Sequence, residues 1–268
     1  GVKHSDTHVE YELDTATWIG PWAGHGPDFA FARDVAALIN SSGLKAEAYE
    51  EYLKRVRGLA ERKIPMMIDE WNYGDLRPFS LKGALSLAAG LHEMFRYTDR
   101  FAGAAYTMGT SCMARTPHES VLQTNGLVFK LYRRNFGTIP LGVTGDSPMP
   151  PTKGEPGGDK PVVPSGSPTY PLDVSAALTA DGTALTVAIV NPTREARSLS
   201  FDVKGLALTG KGRLLVLTGA DENAYNEVGK KPAVEIVDKA LKTVDKTIVL
   251  GPLSVSLYVL DIVAKKGK

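Results

Sequence analysis

The residues with the clearest chemical potential are Asp69 and Glu70, which close the apolar run Ile64 to Ile68 in the stretch IPMMIDEWNYGD and are followed by Trp71 and Asn72. A hydrophobic strand that ends in carboxylates delivers them to the mouth of a parallel α/β barrel or sheet, where loops diverge and leave a pocket. Successive side chains on a strand point to opposite faces, so the spacing predicts that one of the two faces a ligand and the other supports it. A carboxylate beside a Trp that can stack on a sugar ring suits glycoside hydrolysis, in which one carboxylate attacks or stabilises the anomeric carbon and a second protonates the leaving oxygen. A D-E pair taken alone is more often a solvated loop or a helix-cap feature.

Alternating helices and strands must position such a pair. The stretch KAEAYEEYLKRVRGLAERK, before the strand, carries Ala48, Tyr49, Tyr52, Leu53, Val56 and Leu59 on one face and predicts a helix. After Asp75, Ser80 is a candidate N-cap for a helix whose apolar positions are Leu81, Ala84, Leu85, Ala88, Leu91 and Phe95. A short apolar run, AGAAYTMG, and a further helix in GLVFKLYRRNF follow. This order is the grammar of parallel α/β architecture.

The composition changes at Pro148 to Pro168, PMPPTKGEPGGDKPVVPSGSP, where Pro and Gly are too dense for a helix or a central strand. Beyond it, LDVSAALTADGTALTVAIVNP alternates apolar and polar residues about Ala180-Asp181-Gly182, a hairpin signal. SLSFDVKG, GRLLVLTG, KTIVL and SVSLYVLDIV continue as short strands. The expected fold is α/β plus all-β. Residues 1–147 read as a parallel α/β part, 148–168 as a Pro/Gly-rich linker, and 169–268 as a β-sandwich.

The 31 Lys plus Arg balance 30 Asp plus Glu at a net charge of +1, which gives no general attraction for nucleic acid or an anionic membrane. A neutral ligand fits that balance. The lone Cys112 has no partner for an internal disulfide, and no zinc-type Cys/His spacing occurs. Apolar runs such as Leu214 to Leu217 are far shorter than the roughly 20 residues of a membrane span. The first residues, GVKHSDTHVEYELD, lack signal-peptide segments and read as the interior of a domain with chain upstream, so the compartment, cytoplasmic or secreted, is left open.

The string MMIDEWNYG resembles the strand-end motif of glycoside hydrolase family 51, the α-L-arabinofuranosidases, whose catalytic nucleophile is the Glu of D-E-W-N at the end of barrel strand seven. ALSLAAGLHEMFRYTDR is similar to the family's next helix, GAAYTMG to strand eight, and VLQTNGLVFKLYRRNFGTIPLGV to its L-Q-T segment and last barrel helix. DENAYNEVGKKPAVEIV and GPLSVSLYVL resemble blocks of its sandwich. The resemblance implies Glu70 as nucleophile, Trp71 and Asn72 shaping its surroundings, Asp69 in supporting contacts, and Gln123 contacting the furanose. Gln123 also reads as a helix-cap amide. Gly74 stands where the family usually carries an aromatic residue, with Tyr73 beside it. HVEYEL is similar to barrel strand six, with Tyr11 the better candidate near the sugar and His8 the poorer. Trp18, Trp22 and His25 would lie in the loop over the pocket, available for stacking or hydrogen bonding, or as anchors of that loop.

The family's acid/base comes from an N-E motif on strand four, and none precedes Glu70. A complete barrel takes about 250 residues, whereas only residues 1–147 precede the Pro-rich segment. The resemblance therefore implies that residues 1–147 are the C-terminal portion of a (β/α)8 TIM barrel and 169–268 a jelly-roll-like β-sandwich, with an N-terminal barrel half supplied by the same precursor or a partner chain and Glu10 as the lesser alternative for the acid. It implies a retaining enzyme that releases terminal α-L-arabinofuranosyl residues from arabinose-containing polysaccharides or oligosaccharides, needs no metal or organic cofactor, and can form homo-oligomers. The alternatives are a non-catalytic sugar-binding or scaffold subunit, and a retaining glycosidase acting on glucan, xylan or another furanoside.

Overall fold

The structure, a computed structural model, describes residues 2–3, 9–10, 53–54, 57–62, 65–71, 79–106, 112–148, 167–200 and 202–263. Two short strands, β1 (Val2–Lys3) and β2 (Val9–Glu10), pair antiparallel. Val9–Glu10, expected in barrel strand six, is β2 of this pair. The helix expected over residues 45–63 is described at Leu53–Lys54 and as α1 (Leu59–Arg62). Between them Arg57 and Gly58 form a turn, with Gly58 at φ +79, a backbone region that ends a helix.

Among the described residues, the α/β part contains one βαβ unit. Strand β3 (Met66–Trp71) leads to helix α2 (Leu81–Arg96) and then to β4 (Phe101–Tyr106), which lies parallel to β3. A parallel pair needs such a crossover because its strands cannot be joined by a tight turn. A hairpin of β5 (Met113–Arg115) and β6 (Ser120–Leu122) precedes helix α3 (Thr124–Asn135).

Strand β7 (Ile139–Leu141) follows α3 directly, and β8 (Asp173–Leu178), β9 (Ala184–Asn191), β10 (Arg197–Ser200), β11 (Leu208–Gly219), β12 (Val234–Leu241), β13 (Thr247–Leu250) and β14 (Ser254–Ile262) complete the fold. Six strands form one antiparallel sheet in the order β12-β11-β14-β9-β8-β7, and β10 pairs with β13 in a second. The predicted hairpin is β8–β9, with Gly182 at φ +69 in its turn. Sequence reading did not identify β5, β6, β7 or β12. Three are only three residues long, and β7 contains Pro140, which has no N–H to donate and suits the outer edge that β7 occupies.

Side-chain alternation on the large sheet assigns its two faces. On β9, Ala188 and Val190 join one core with Leu215, Leu217, Val255 and Leu257, while Leu185, Val187 and Ile189 join another with Tyr258 and Leu260. The first core is completed by Leu81, Leu85 and Ala88 of α2 and by Leu127, Val128 and Leu131 of α3; the second by Leu199, Ile248 and Leu250 of the small sheet. Strand β9 is therefore buried at every residue. The sandwich and the barrel helices share a core, so the sheet is the middle of three layers and its helix-facing side is not solvated. Helix α2 is buried on more than the one predicted face, because β4 residues Phe101 and Tyr106 pack on the same core as the sheet.

A buried polar network crosses this boundary near the C-terminal ends of the helices. Asp173 Oδ1 accepts from His92 Nδ1 at 2.8 Å and from Arg96 at 2.5 Å, and a second Arg96 nitrogen donates to Glu93 at 2.7 Å. Tyr132 Oη lies 2.5 Å from His92 Nε2. Burial pushes the His92 pKa below 6.5, more than the neighbouring Asp173 raises it. The neutral ring then donates from Nδ1 to Asp173 and accepts the Tyr132 hydroxyl proton at Nε2. Burial would raise the Asp173 carboxyl, but Arg96 and His92 overcome it and hold it below its ordinary value of 3.8.

Because the folded His92 binds its proton more weakly than an unfolded one, its contribution to stability is complete above about pH 6.5 and declines as pH falls below it. Asp173 adds a second decline below about pH 3.8. Urea unfolding measured between pH 7.5 and 5 should show stability dropping in acid, and His92→Gln should flatten that slope. An identical slope in the variant would exclude His92 as its source.

Candidate functional site

The strand that carries Glu70 is irregular where the carboxylates sit. Ile68 pairs with Ala104 and Trp71 with Tyr106, so Asp69 and Glu70 together oppose the single residue Ala105. This extra residue is the signature of a β-bulge, a device that redirects side chains and is frequent beside active sites. Trp71 is the last residue of β3, so both carboxylates lie at the strand's C-terminal end, and the parallel β4 ends on the same side at Tyr106. Asn72, Tyr11 and Trp22, together with His8, Trp18, His25, Tyr73 and Gly74, lie outside the described residues. Glu10 ends β2.

Residues after β4 build the adjoining wall. Asn125 donates from Nδ2 to Tyr106 Oη at 3.1 Å, and the Tyr106 ring meets Phe129 edge-on at 4.9 Å between centroids. The first turn of α3 is thereby tied to the end of β4. Each residue of the L-Q-T segment has a separate task. Leu122 ends β6. Gln123 takes the N-cap position of α3, with extended backbone and its N–H donated to the Cys112 carbonyl at 2.9 Å. Thr124 Oγ1 reaches the Phe79 and Ser80 carbonyls at 2.7 and 2.9 Å, joining the N-termini of α2 and α3.

Neither predicted cap acts through its side chain. Ser80 occupies the N-cap position of α2 without a side-chain cap bond, and Gln123 makes none on α3. Instead the sandwich caps α2. The Leu81 and Lys82 N–H groups donate to the Ala224 and Glu222 carbonyls at 2.8 and 3.0 Å, which satisfies donors that a helix start leaves unpaired. The Gln123 side chain also turns to the sandwich: Nε2 donates to the Asn226 carbonyl at 2.6 Å. Asn226, which sequence reasoning placed only within a family-like block, is 2% exposed and joins the two parts. Its position between strands inside a polar cluster, DENAYNE, reads as a loop, and no local signal distinguishes it from its neighbours.

A cleft of about 750 Å³ lies elsewhere, lined by Phe95, Arg96, Phe136, Leu141, Val143 and Ala176. It opens at the C-terminal ends of α2 and α3, the opposite end of the helices from Gln123. Among the described residues no group of three or more His, Cys, Asp and Glu side chains could hold a metal ion, and no helix is long and apolar enough to cross a membrane.

The family model of the alpha-L-arabinofuranosidase C-terminal domain matches residues 69–254, beginning at the carboxylate pair and running through the sandwich. The chain belongs to this family. A search of curated proteins returned no match. Among solved structures, the alpha-L-arabinofuranosidase from Thermotoga maritima in its arabinose complex is 19% identical, with a TM-score of 0.72 over 88% of this chain and 51% of that one. The thermostable GH51 alpha-L-arabinofuranosidase from Thermotoga petrophila RKU-1 is 21% identical, with a TM-score of 0.68 over 85% and 50%. A xyloglucanase of glycoside hydrolase family 44 from Paenibacillus polymyxa is 14% identical, with a TM-score of 0.55 over 88% and 42%. The chain spans about half the length of the GH51 structures it matches, and its fold is that of their C-terminal portion, part of the barrel followed by the sandwich. The same fold in a family 44 xyloglucanase means that substrate must be argued from the site.

Proposed function

We propose that this chain is the C-terminal portion of a retaining glycoside hydrolase that releases terminal α-L-arabinofuranosyl residues, with Glu70 as the nucleophile. The observation that carries the reading is the position of Glu70, at the bulged C-terminal end of a parallel strand, one residue inside the start of the arabinofuranosidase family match. Residues 1–147 are assigned to the barrel and 169–268 to the sandwich, joined by 148–168, with β7 reaching back across that division to pair with β8. The acid/base Glu is assigned to the remaining barrel strands, from the same polypeptide or a partner chain.

The reaction is a double displacement. A Glu70 carboxylate oxygen attacks the anomeric carbon, the glycosidic C–O bond breaks, and the departing oxygen takes the proton of the partner Glu. That partner, now a carboxylate about 5 Å from Glu70 in retaining enzymes, accepts a proton from water as the water oxygen attacks the same carbon and releases Glu70. Two inversions return the original configuration.

The test uses the protein with its barrel complete. Proton NMR of 4-nitrophenyl α-L-arabinofuranoside hydrolysis should show the α-anomer of arabinose forming first and mutarotating afterwards. A β-anomer formed first would exclude double displacement. Arabinose binding without turnover would support a sugar-binding subunit instead.

A further inference from the structure

Gln123 sits where a helix cap belongs, yet its side chain is spent on the sandwich. It is 6% exposed, and its Nε2 donates to the Asn226 carbonyl oxygen at 2.6 Å. A carbonyl only accepts, so the nitrogen end of the amide must face it, and the two ends of Gln123 are not interchangeable. Its Oε1 is thereby committed to the other direction, where it is buried and, among the described residues, has no hydrogen-bond partner. A buried acceptor left unsatisfied is uncommon and calls for a donor from outside.

Asn226 is in turn held by everything its side chain can offer. Its Nδ2 donates to the Leu122 carbonyl at 3.2 Å and the Val234 carbonyl at 2.9 Å. Its Oδ1 accepts the Ala233 and Val234 N–H groups, both at 3.0 Å. One of these bonds returns to the residue before Gln123, so Leu122–Gln123 and Asn226 exchange hydrogen bonds across the boundary between barrel and sandwich. Ser80 and Thr124 close the same corner through the Thr124 hydroxyl, while the Ala224 carbonyl holds the start of α2. The Gln123 amide therefore sits in a bracket with few ways to rotate.

We propose that Asn226 is a positioning residue for the sugar site: its main-chain carbonyl orients the Gln123 amide so that Oε1 is presented to the ligand as a fixed acceptor, which a sugar hydroxyl fills by donating its hydrogen. This rests on the Glu70 reading above and deepens it, because it makes a sandwich residue responsible for the polarity of a contact made by the barrel. Asn226 touches no substrate and acts through Gln123.

A double-mutant cycle on the barrel-complete protein tests it, with kcat and KM measured on 4-nitrophenyl α-L-arabinofuranoside and melting temperature measured alongside. Gln123→Ala and Asn226→Ala should each lower kcat/KM by about tenfold, the worth of one neutral hydrogen bond. The double variant should lose no more than the larger single loss, since Asn226 has nothing to orient once Gln123 is gone. Gln123→Glu keeps the shape but sets a second acceptor against the Asn226 carbonyl, and should lose about tenfold while every Asn226 anchor remains. If Asn226→Ala does not fold, Gln123→Glu decides alone, and a kcat/KM at the level of the parent protein overturns the proposal. Multiplicative losses in the cycle, or a lowered melting temperature with unchanged kcat/KM in Asn226→Ala, overturn it as well. Should the aryl glycoside not be turned over, the cycle is read as the dissociation constant of L-arabinose, and absence of arabinose binding by the parent protein is a negative result for the proposal. Activity surviving in Glu70→Gln defeats the site reading itself; an inactive Glu70→Gln with an additive cycle defeats only the role of Asn226.

Discussion

Glu70→Gln in the barrel-complete protein is expected to lower kcat on 4-nitrophenyl α-L-arabinofuranoside by at least about a thousandfold, while leaving the melting temperature within a few degrees. The substitution keeps the shape of the side chain and removes only the anionic oxygen that must form the glycosyl ester. A neutral amide neither bonds to the anomeric carbon nor stabilises its developing positive charge, so both displacement steps are affected. Each tenfold loss corresponds to about 1.4 kcal/mol of barrel-supplied stabilisation, and a thousandfold loss to about 4 kcal/mol. Glu70→Ala adds a diagnostic that a structural role would not reproduce. The smaller side chain leaves room for azide, which can attack in place of the carboxylate and should restore turnover, yielding a glycosyl azide of inverted configuration after one displacement. A loss of only a few fold, with no azide effect, would remove Glu70 from the nucleophile's role and leave its strand-end position unexplained.

The second large effect is expected far from the carboxylates. Asp173→Ala removes the acceptor shared by His92 and Arg96 from a boundary where His92 and Glu93 are 0% exposed. Deleting one member of a buried charge network costs up to about 3–5 kcal/mol; here Arg96 is left with Glu93, and the neutral His92 Nδ1–H loses its acceptor. For a chain of this size that corresponds to a fall of roughly 10 °C in melting temperature. Tyr132 loses its alignment as well, since the His92 tautomer that accepts its proton is set by the bond to Asp173. The comparison is Asp238→Ala, which breaks the surface pair of Arg213 and Asp238, 51% and 46% exposed, and should cost under about 1 kcal/mol. Equal losses from the two substitutions, read by thermal or urea unfolding, would show that the network at Asp173 does not hold the two parts together.

The sequence by itself determined the element types and the candidate nucleophile, because both are written in local patterns. The period of two in Leu172 to Asn191 specifies β8 and β9, the three-and-four spacing from Leu81 to Phe95 specifies α2, and the apolar run ending in D-E-W-N identifies a strand-end carboxylate. Short or exposed strands were not legible: β5, β6 and β7 are too brief to show a period, and β12 is an exposed edge whose pairing partner is decided by β11.

Tertiary structure alone decided how the parts are joined. That the sheet is buried on both faces depends on helices and strands distant in sequence, and the bonds of Asp173 to His92 and Arg96 and of Gln123 to Asn226 join residues 77 to 103 positions apart. Such contacts leave no mark on local periodicity. The cap of α2 makes the same point, since Ser80 stands in the expected place while the bonds to Leu81 and Lys82 come from the Ala224 and Glu222 main chain, where side-chain identity is irrelevant. Local propensity selects helix and strand through the dihedral angles of neighbouring residues, whereas the partners of buried polar groups are chosen only when distant segments close around them and exclude water.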